Sequence, residues 1–442
     1  MQLTIEKLIY GGDGLARLPS DDLPHDKQGR GKAVFIPFVL QGEEVDVHLI
    51  EQKRGFDRGV VDTLTAPSVH RVEPRCPYFA RCGGCHYQHS NYEHQLEIKG
   101  AILKETLRRI AKLELETELK IHRSPEWNYR NRTRLTLQST PEFAMCYHKF
   151  NSHQLLPIEQ CPISSPLINR AIAALWDIGR KGNIPDEIWE IEMFADASDV
   201  EFLLEAYCKE GNNVDPASAQ RLHESLQSQI SEVAGVVIFQ RRISGGSSHQ
   251  ANEPERIQLA GRGDLVYKTS QSPYRVSAGS FFQVNRHLID ELVSIVTTGI
   301  SGGTALDLYA GVGLFSSVLY REFQRVIAVE SSQTSYADLL YNSPPNVKAV
   351  QATTEQYLRN VGGKLHPDLV VVDPPRGGLS ESVPKLLASL RSPRITYVSC
   401  DPATVARDLR VLLDSGYRVE QAHLVDLFPQ TFHIESVFQL VR

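Results

Sequence analysis

The sequence predicts a multidomain α/β protein with a doubly wound, mostly parallel C-terminal sheet, a small N-terminal β-barrel and a central α+β domain. Three observations carry this. From about residue 275 to 442, strand-like and helix-like patterns alternate, as strands and crossover helices of a parallel sheet do. Residues 1 to 65 hold only short strand patterns broken by turn residues, the spacing of a small barrel. Residues 70 to 270 mix both patterns, and a chain of 442 residues is long enough for several cores.

In chain order, Leu3–Tyr10, Lys32–Ile36, Glu44–Glu51 and Asp57–Thr63 read as the barrel strands, interrupted by Gly11-Gly12-Asp13-Gly14 and the polar stretch 19–31. Gln95–Ala111 has helical apolar spacing, whereas Asp199–Ala206 and Gly235–Gln240 alternate like strands. Ser244-Gly245-Gly246-Ser247-Ser248 reads as a loop. In the last region Thr304–Ala310, Arg325–Val329, Leu369–Val372 and Ile395–Val398 are short apolar runs suited to buried strands, and Leu314–Tyr320 reads as a helix.

The start of the chain lacks a basic segment followed by an apolar one, and no apolar run approaches the roughly 18 residues that span a bilayer. Seven cysteines, three of them within residues 76–85, do not read as a disulfide framework, so a reducing cytoplasm is the expected setting. A net charge of −6 by itself argues against a nucleic-acid partner, but attraction to phosphate is local, so a basic face can exist on an acidic chain. The interval from Lys99 to Arg134 carries ten Lys/Arg against five Asp/Glu. It ends in Trp127-Asn128-Tyr129-Arg130-Asn131-Arg132-Thr133-Arg134, a mixture able to hold phosphates and stack on bases, or equally a solvated strand or helix face.

The chemistry concentrates at the carboxyl ends of the C-terminal strands, where ligands collect in doubly wound sheets. Leu306-Asp307-Leu308-Tyr309-Ala310-Gly311-Val312-Gly313 leads a strand into a glycine turn, and Glu330 ends the next strand, where a carboxylate can accept ribose hydroxyls. The third glycine of a dinucleotide fingerprint is missing, which favours S-adenosylmethionine over NAD. Asp373-Pro374-Pro375-Arg376 leaves another strand through a fixed turn. Cys400, in Ser399-Cys400-Asp401-Pro402, ends a fourth; in isolation it reads as an apolar filler, at this edge as a nucleophile. A thiolate adding to C6 of uracil makes C5 a carbon nucleophile toward a sulfonium methyl. A carboxylate then removes the C5 proton, and Glu435 is the candidate base. His433 either assists or is a structural hydrogen-bonding residue.

Cys76-x5-Cys82-x2-Cys85 brings three thiols onto one tight segment. A fourth thiolate would complete a cubane cluster or a zinc site, and spacing leaves both Cys146 and Cys161 open for it.

The chain resembles the RNA uracil-5 methyltransferases, specifically the branch with an N-terminal TRAM domain and an iron–sulfur cluster, over nearly its full length. Gly11-Gly12-Asp13-Gly14-Leu15-Ala16 and Gly42-Glu43 resemble the TRAM pattern, and Ser280-Phe281-Phe282-Gln283-Val284-Asn285 resembles the segment preceding the methyltransferase core. The resemblance implies a class I (Rossmann-like) methyltransferase sheet. It implies cofactor contacts at Gln283, Tyr309, Glu330 and Asp373, a nucleophile at Cys400 and a proton acceptor at Glu435. Leu314 departs from the polar residue of some members. The resemblance also implies a [4Fe-4S] cluster on Cys76, Cys82, Cys85 and Cys161, and formation of 5-methyluridine in 23S rRNA; a monomer is the default expectation. Residues 1–70 carry eight Lys/Arg against eleven Asp/Glu, so any RNA-holding face of the barrel is expected to be narrow. The same reaction on tRNA, and a non-catalytic RNA-binding iron–sulfur protein, are the alternatives.

Overall fold

The computed structural model describes residues 1–18, 31–211, 213–241 and 253–442. Nearly all of the expected loop 19–31, and the Ser244–Ser248 stretch, lie outside the described residues.

Six strands, Gln2–Thr4 (β1), Lys7–Leu8 (β2), Asp13–Arg17 (β3), Ala33–Pro37 (β4), Glu44–Gln52 (β5) and Phe56–Ala66 (β6), form one sheet in the order β1-β5-β6-β4-β3-β2. Its alternating inward residues, among them Val34, Ile36, Val45 and Val47, make a core of their own. The cysteine segment follows without regular structure and leads into helix Tyr92–Thr106 (α1). Asn91 caps α1 by accepting from the His94 N–H, and the last turn, Leu107–Ala111, winds as a π-helix.

After Leu119–His122 (β7) come Arg132–Gln138 (β8), Ala144–His148 (β9), Leu155–Pro157 (β10), Pro166–Arg180 (α2), Ile188–Ala195 (β11), Phe202–Lys209 (β12), Ser218–Gln227 (α3), Val233–Arg241 (β13) and Glu255–Gly261 (β14). Strands β8 to β14 build a seven-stranded sheet, order β10-β9-β8-β11-β12-β13-β14, covered by α2 and α3. β12 and β13 do not alternate: both are buried through most of their length. One face meets α2 and α3, and the other meets residues that precede the C-terminal sheet. A hairpin of Asp264–Lys268 (β15) and Pro273–Ser277 (β16) then leads to Ile289–Thr297 (α4).

The last region runs Gly302–Leu308 (β17), Ser316–Leu319 (α5), Phe323–Glu330 (β18), Gln333–Asn342 (α6), Val347–Gln351 (β19), Thr354–Val361 (α7), Leu369–Val372 (β20), Val383–Ser389 (α8), Arg394–Ser399 (β21), Pro402–Asp414 (α9), Arg418–Val425 (β22) and Glu435–Val441 (β23). The expected Leu314–Tyr320 helix is present only as the single turn of α5. The sheet order is β19-β18-β17-β20-β21-β23-β22-β7, parallel except for β23. Successive side chains divide between its faces: Ala305, Val326, Leu369 and Val371 enter one core, and Leu306, Ile327, Val370 and Val372 the other. The order reverses between β17 and β20, the crevice where such sheets bind ligands. The edge strand β7 comes from residues 119–122, far earlier in the chain, and pairs in parallel with β22. Helix α1, just before β7, packs its Leu103 and Leu107 into the core on the same side as α9.

Candidate active site

The glycine turn after β17 is built by backbone conformation. Tyr309 has φ +61°, Gly311 +56° and Gly313 +94°. A β-carbon on Gly313 would stand 2.9 Å from Leu339 Cδ1, the end of a side chain that can turn aside, so it is the φ of +94° that favours glycine here. Tyr309 holds the left-handed conformation with a full side chain, which costs on the order of 1–3 kcal/mol and is typical of functional turns. Glu330, at the end of β18, ties the turn down: one carboxylate oxygen accepts from the Gly311 N–H (2.8 Å), the other from the N–H groups of Ser331 and Ser332 (2.7 Å each).

Beside the turn stand four acids. Asp307, on β17, is fully buried; it accepts from the Ser316 N–H at 3.0 Å and from the Ser316 hydroxyl, while its other oxygen has no partner. Burial pushes its carboxyl up to about 7. Asp373, at the end of β20, is also raised to about 7, by burial first and by Asp307 second. Cys400, half-buried after β21, has its thiol pushed up to about 12 by burial, then by Glu435 and Asp373, with Arg376 opposing. Glu435 opens β23, is 4% exposed, and lies well above the usual carboxylate range through burial and then the Asp373 charge, again opposed by Arg376. Among the described residues neither the Asp373 nor the Glu435 carboxylate accepts a hydrogen bond. Both are buried beside like charge, with Arg376 opposing at Glu435. A positively charged sulfonium beside Asp373 and an acidic C–H beside Glu435 would relieve both.

Elements from elsewhere complete the site. Tyr10, from the N-terminal sheet, bonds Asp401 and feels the Cys400 and Arg376 charges; its ring meets Phe432 edge-on at 5.3 Å. Asp401 also caps α9, accepting from Ala403 and Thr404. His433 is driven down to about 3 by burial and then by neighbouring positive groups. It is therefore a neutral imidazole, packed on Phe432 at 4.3 Å. Gln283 is 8% exposed. Its carbonyl accepts from Asn131 (3.2 Å), and the segment before it is held by Arg132 on the Ser280 carbonyl.

That last contact corrects an expectation. Arg132, read from sequence as a candidate phosphate or base contact, is buried between Glu192 and Glu205, and Arg134 is paired with Glu192 and Glu190. Tyr129 is fully buried, with its hydroxyl on the Pro429 carbonyl. The run spends these residues holding the central sheet to the active-site loops. Arg132 and Arg134 lie on β8 and are ion-paired, whereas Trp127 and Tyr129 precede the strand.

The four cysteines Cys76, Cys82, Cys85 and Cys161 line a single cavity of about 320 Å³, with Gln88, Arg130, Thr133 and Tyr147 among its other walls. Cys146 does not line it and is packed among apolar residues of the central core. Of the two candidates for the fourth position, Cys161 is the one that joins the trio. The Cys76 N–H bonds Gln88 Oε1 (3.0 Å), Cys82 Sγ accepts from the Gly84 N–H (3.4 Å), and Asn169 holds the Cys161 backbone at both its N–H and its carbonyl. Among the described residues no group of three or more His, Cys, Asp or Glu is arranged to hold a metal ion. The donor set, four thiols around one cavity with N–H groups near the sulfurs, fits in type what a thiolate-held cluster requires.

Residues 91–442 match the tRNA (uracil-5-)-methyltransferase family and residues 1–61 the TRAM domain. The chain belongs to the tRNA (uracil-5-)-methyltransferase family. A relative from Aquifex aeolicus described only as an uncharacterized RNA methyltransferase is 31% identical, over 99% of this chain and 97% of its own. The 23S rRNA (uracil(1939)-C(5))-methyltransferase RlmD of Vibrio parahaemolyticus is 27% identical, over 98% and 94%. Among solved structures, the Pyrococcus abyssi tRNA (uracil-54, C5)-methyltransferase in complex with S-adenosyl-L-homocysteine superposes with a TM-score of 0.74 at 25% identity, covering all of both chains. This RNA (uracil-5-)-methyltransferase is thus an S-adenosylmethionine-dependent enzyme with an N-terminal TRAM domain.

Gln283 aside, the sequence-predicted residues fall in two groups. Tyr309, Glu330, Asp373, Cys400 and Glu435 gather at the carboxyl edge of the C-terminal sheet, and the four cysteines gather at the cavity beside the central sheet. Asp307, Arg376 and Tyr10 belong to the first group and were not singled out. Asp307 and Arg376 lie inside the motifs that were, and an acid inside an apolar strand was the available signal for Asp307. Nothing in the local sequence marks Tyr10.

Proposed function

We propose that this enzyme methylates C5 of a uridine in 23S rRNA, with Cys400 as nucleophile and Glu435 as proton acceptor. The observation that carries this is the placement of Asp373, Cys400 and Glu435 at one edge of three neighbouring strands, β20, β21 and β23, where Cys400 feels both carboxylates. The Cys400 thiol gives its proton to water as its sulfur bonds C6, and takes one back once the sulfur is released. C5 takes the methyl group from the sulfonium, whose carbon–sulfur bond breaks to give S-adenosylhomocysteine. Glu435 removes the C5 proton, and the electron pair left behind expels the Cys400 sulfur. Gln283, Tyr309, Glu330 and Asp373 hold the cofactor: Glu330 with the oxygen lone pairs left after it braces the turn, Asp373 through its charge beside the sulfonium. The target base must leave its stack, because nucleophile and methyl donor approach opposite ring faces.

The rRNA assignment is supported by full-length relatives of the RlmD type. The tRNA alternative is favoured by the Pyrococcus abyssi neighbour. Cys76, Cys82, Cys85 and Cys161 would hold a [4Fe-4S] cluster, supported by their shared cavity. Methyl transfer is redox-neutral, so such a cluster would serve as a cross-link between the cysteine segment and the central sheet. The thiols suit a reducing cytoplasm.

RNA carrying 5-fluorouridine tests the chemistry. Fluorine at C5 removes the proton that Glu435 takes, so wild type is expected to form a stable protein–RNA adduct and Cys400→Ala none. Absence of an adduct with every RNA offered would sink the mechanism. Unmodified 23S rRNA and tRNA transcripts, compared by nucleoside mass spectrometry for 5-methyluridine, decide the substrate.

A further inference from the structure

Glu435 is reached through residues 426–434, a stretch without regular structure between β22 and β23. Within it, Gln430 has φ +69°, a conformation that costs a non-glycine residue about 1–2 kcal/mol and persists only where its surroundings impose it. The constraint comes from the cysteine segment. The Gln430 carbonyl accepts from two consecutive backbone N–H groups, His86 (2.9 Å) and Tyr87 (3.0 Å), directly after Cys85. Gln95 of α1 closes the arrangement: its amide oxygen accepts from the Gln430 N–H and its amide nitrogen donates to Gln430 Oε1, each at 3.0 Å. The same Gln95 nitrogen donates to the Ser90 carbonyl at 2.9 Å.

The rest of the stretch is held as closely. The Leu427 carbonyl accepts from Asn285 (3.0 Å), that of Phe428 from Lys99 (2.9 Å) and that of Pro429 from Tyr129 (2.9 Å). Beyond Gln430, the His86 ring meets Phe432 at 4.6 Å, three residues before Glu435. None of these partners lies on the strands that carry Cys400, Glu330 or Asp373.

We propose that Gln430, clamped by the cysteine segment and Gln95, is a positioning residue for Glu435, so that the cysteine segment governs proton removal rather than RNA capture or methyl transfer. This rests on Glu435 as proton acceptor. The consequence is a separation of steps. Loosening the clamp leaves Cys400 and the cofactor residues in place, so the C6–sulfur and C5–methyl bonds still form. The methylated adduct then waits for a misplaced base, and a displacement of about 1 Å slows such a step on the order of 100-fold.

The test is a single-turnover reaction of the full-length protein with S-adenosylmethionine and unmodified 23S rRNA transcript, with tRNA transcript in parallel. Adduct is read on denaturing gels and methylated product by mass spectrometry. Gln95→Met removes both amide bonds to Gln430 at nearly constant volume. Gln430→Gly keeps the carbonyl, releases the backbone strain and removes the side-chain bonds, and stands in should Gln95→Met fail to fold. Glu435→Gln is the reference for a blocked proton step. Each clamp variant is expected to form adduct at the wild-type rate with unchanged KM for RNA, and to discharge it on the order of 100-fold more slowly. Formation and discharge falling together, a raised RNA KM with normal discharge, or no change in discharge would each overturn the proposal. Glu435→Gln discharging its adduct at the wild-type rate would instead overturn the role of Glu435, and the proposal with it.

Discussion

Burial, and after it neighbouring carboxylates, push Asp307, Asp373, Glu435 and Cys400 upward toward their uncharged forms. With Asp307 and Asp373 both near 7, raising pH from about 6 to 8 adds negative charge where the cofactor's sulfur is expected. A sulfonium gains from that charge and the neutral sulfur of S-adenosylhomocysteine does not. The affinity ratio of the two cofactors is therefore expected to rise over this range, by roughly tenfold for each pKa unit the sulfonium pulls down. Titration calorimetry at several pH values checks it, and Asp373→Asn should flatten the slope; a pH-independent ratio would show that the sulfur does not sit by these acids. Asp373 and Cys400 each follow an apolar strand pattern, and Asp373 precedes two prolines, so their neighbours pointed to them, whereas Glu435 was named from the reaction's need for a base and from the family resemblance. Gln430 and Tyr10 were not legible because their partners, His86 and Gln95 for one and Asp401 for the other, lie more than 300 positions away in the chain.

At the level of elements, the Gly11-Gly12-Asp13-Gly14 turn of the N-terminal sheet shows what a motif does and does not disclose. Both Gly11 (φ +109°) and Gly12 (φ +96°) need glycine's conformational freedom, as the sequence suggests. Only Gly12 has a neighbour: a β-carbon there would stand 2.9 Å from His86 Cβ, whereas one on Gly11 would meet nothing within 4 Å. Gly12 is therefore where the N-terminal sheet closes on the cysteine segment. Gly11→Ala is expected to cost about 1–2 kcal/mol from backbone strain alone. Gly12→Ala adds an overpacking penalty of about 1–3 kcal/mol, because the group it meets is the root of a buried side chain. Urea denaturation of the two variants measures the difference, and equal losses would mean that His86 shifts freely. Helix α1 is a parallel case. Its apolar spacing was legible, but its start at Tyr92 is set by the Asn91 cap and its end by a π-turn, both below the resolution of periodicity.

For the whole molecule, the least legible feature is that the C-terminal sheet takes its edge strand from residues 119–122 and its loop support from α1. A short strand such as Leu119–His122 carries almost no pattern, and its partner β22 lies 300 residues later. The junction is sealed by an ion pair that only the fold creates: Lys99 and Asp426, both almost fully buried, at 2.6 Å, with the Tyr92 hydroxyl on the other Asp426 oxygen at 2.9 Å. Removing one partner of such a pair leaves a buried charge uncompensated and costs about 3–5 kcal/mol. Lys99→Met is thus expected to lower stability by that amount, and Asp426→Leu added to it should recover part of the loss. The probe can be chosen to test unity as well as strength. All three tryptophans, Trp127, Trp176 and Trp189, lie in the central region, while Asp426 precedes the last strand of the C-terminal sheet. If the two regions unfold as one, the tryptophan fluorescence and far-UV circular dichroism transitions of Lys99→Met move together to lower urea. If they unfold separately, the transitions split, and the buried pair is a local contact rather than the joint through which α1 binds the central region to the catalytic sheet.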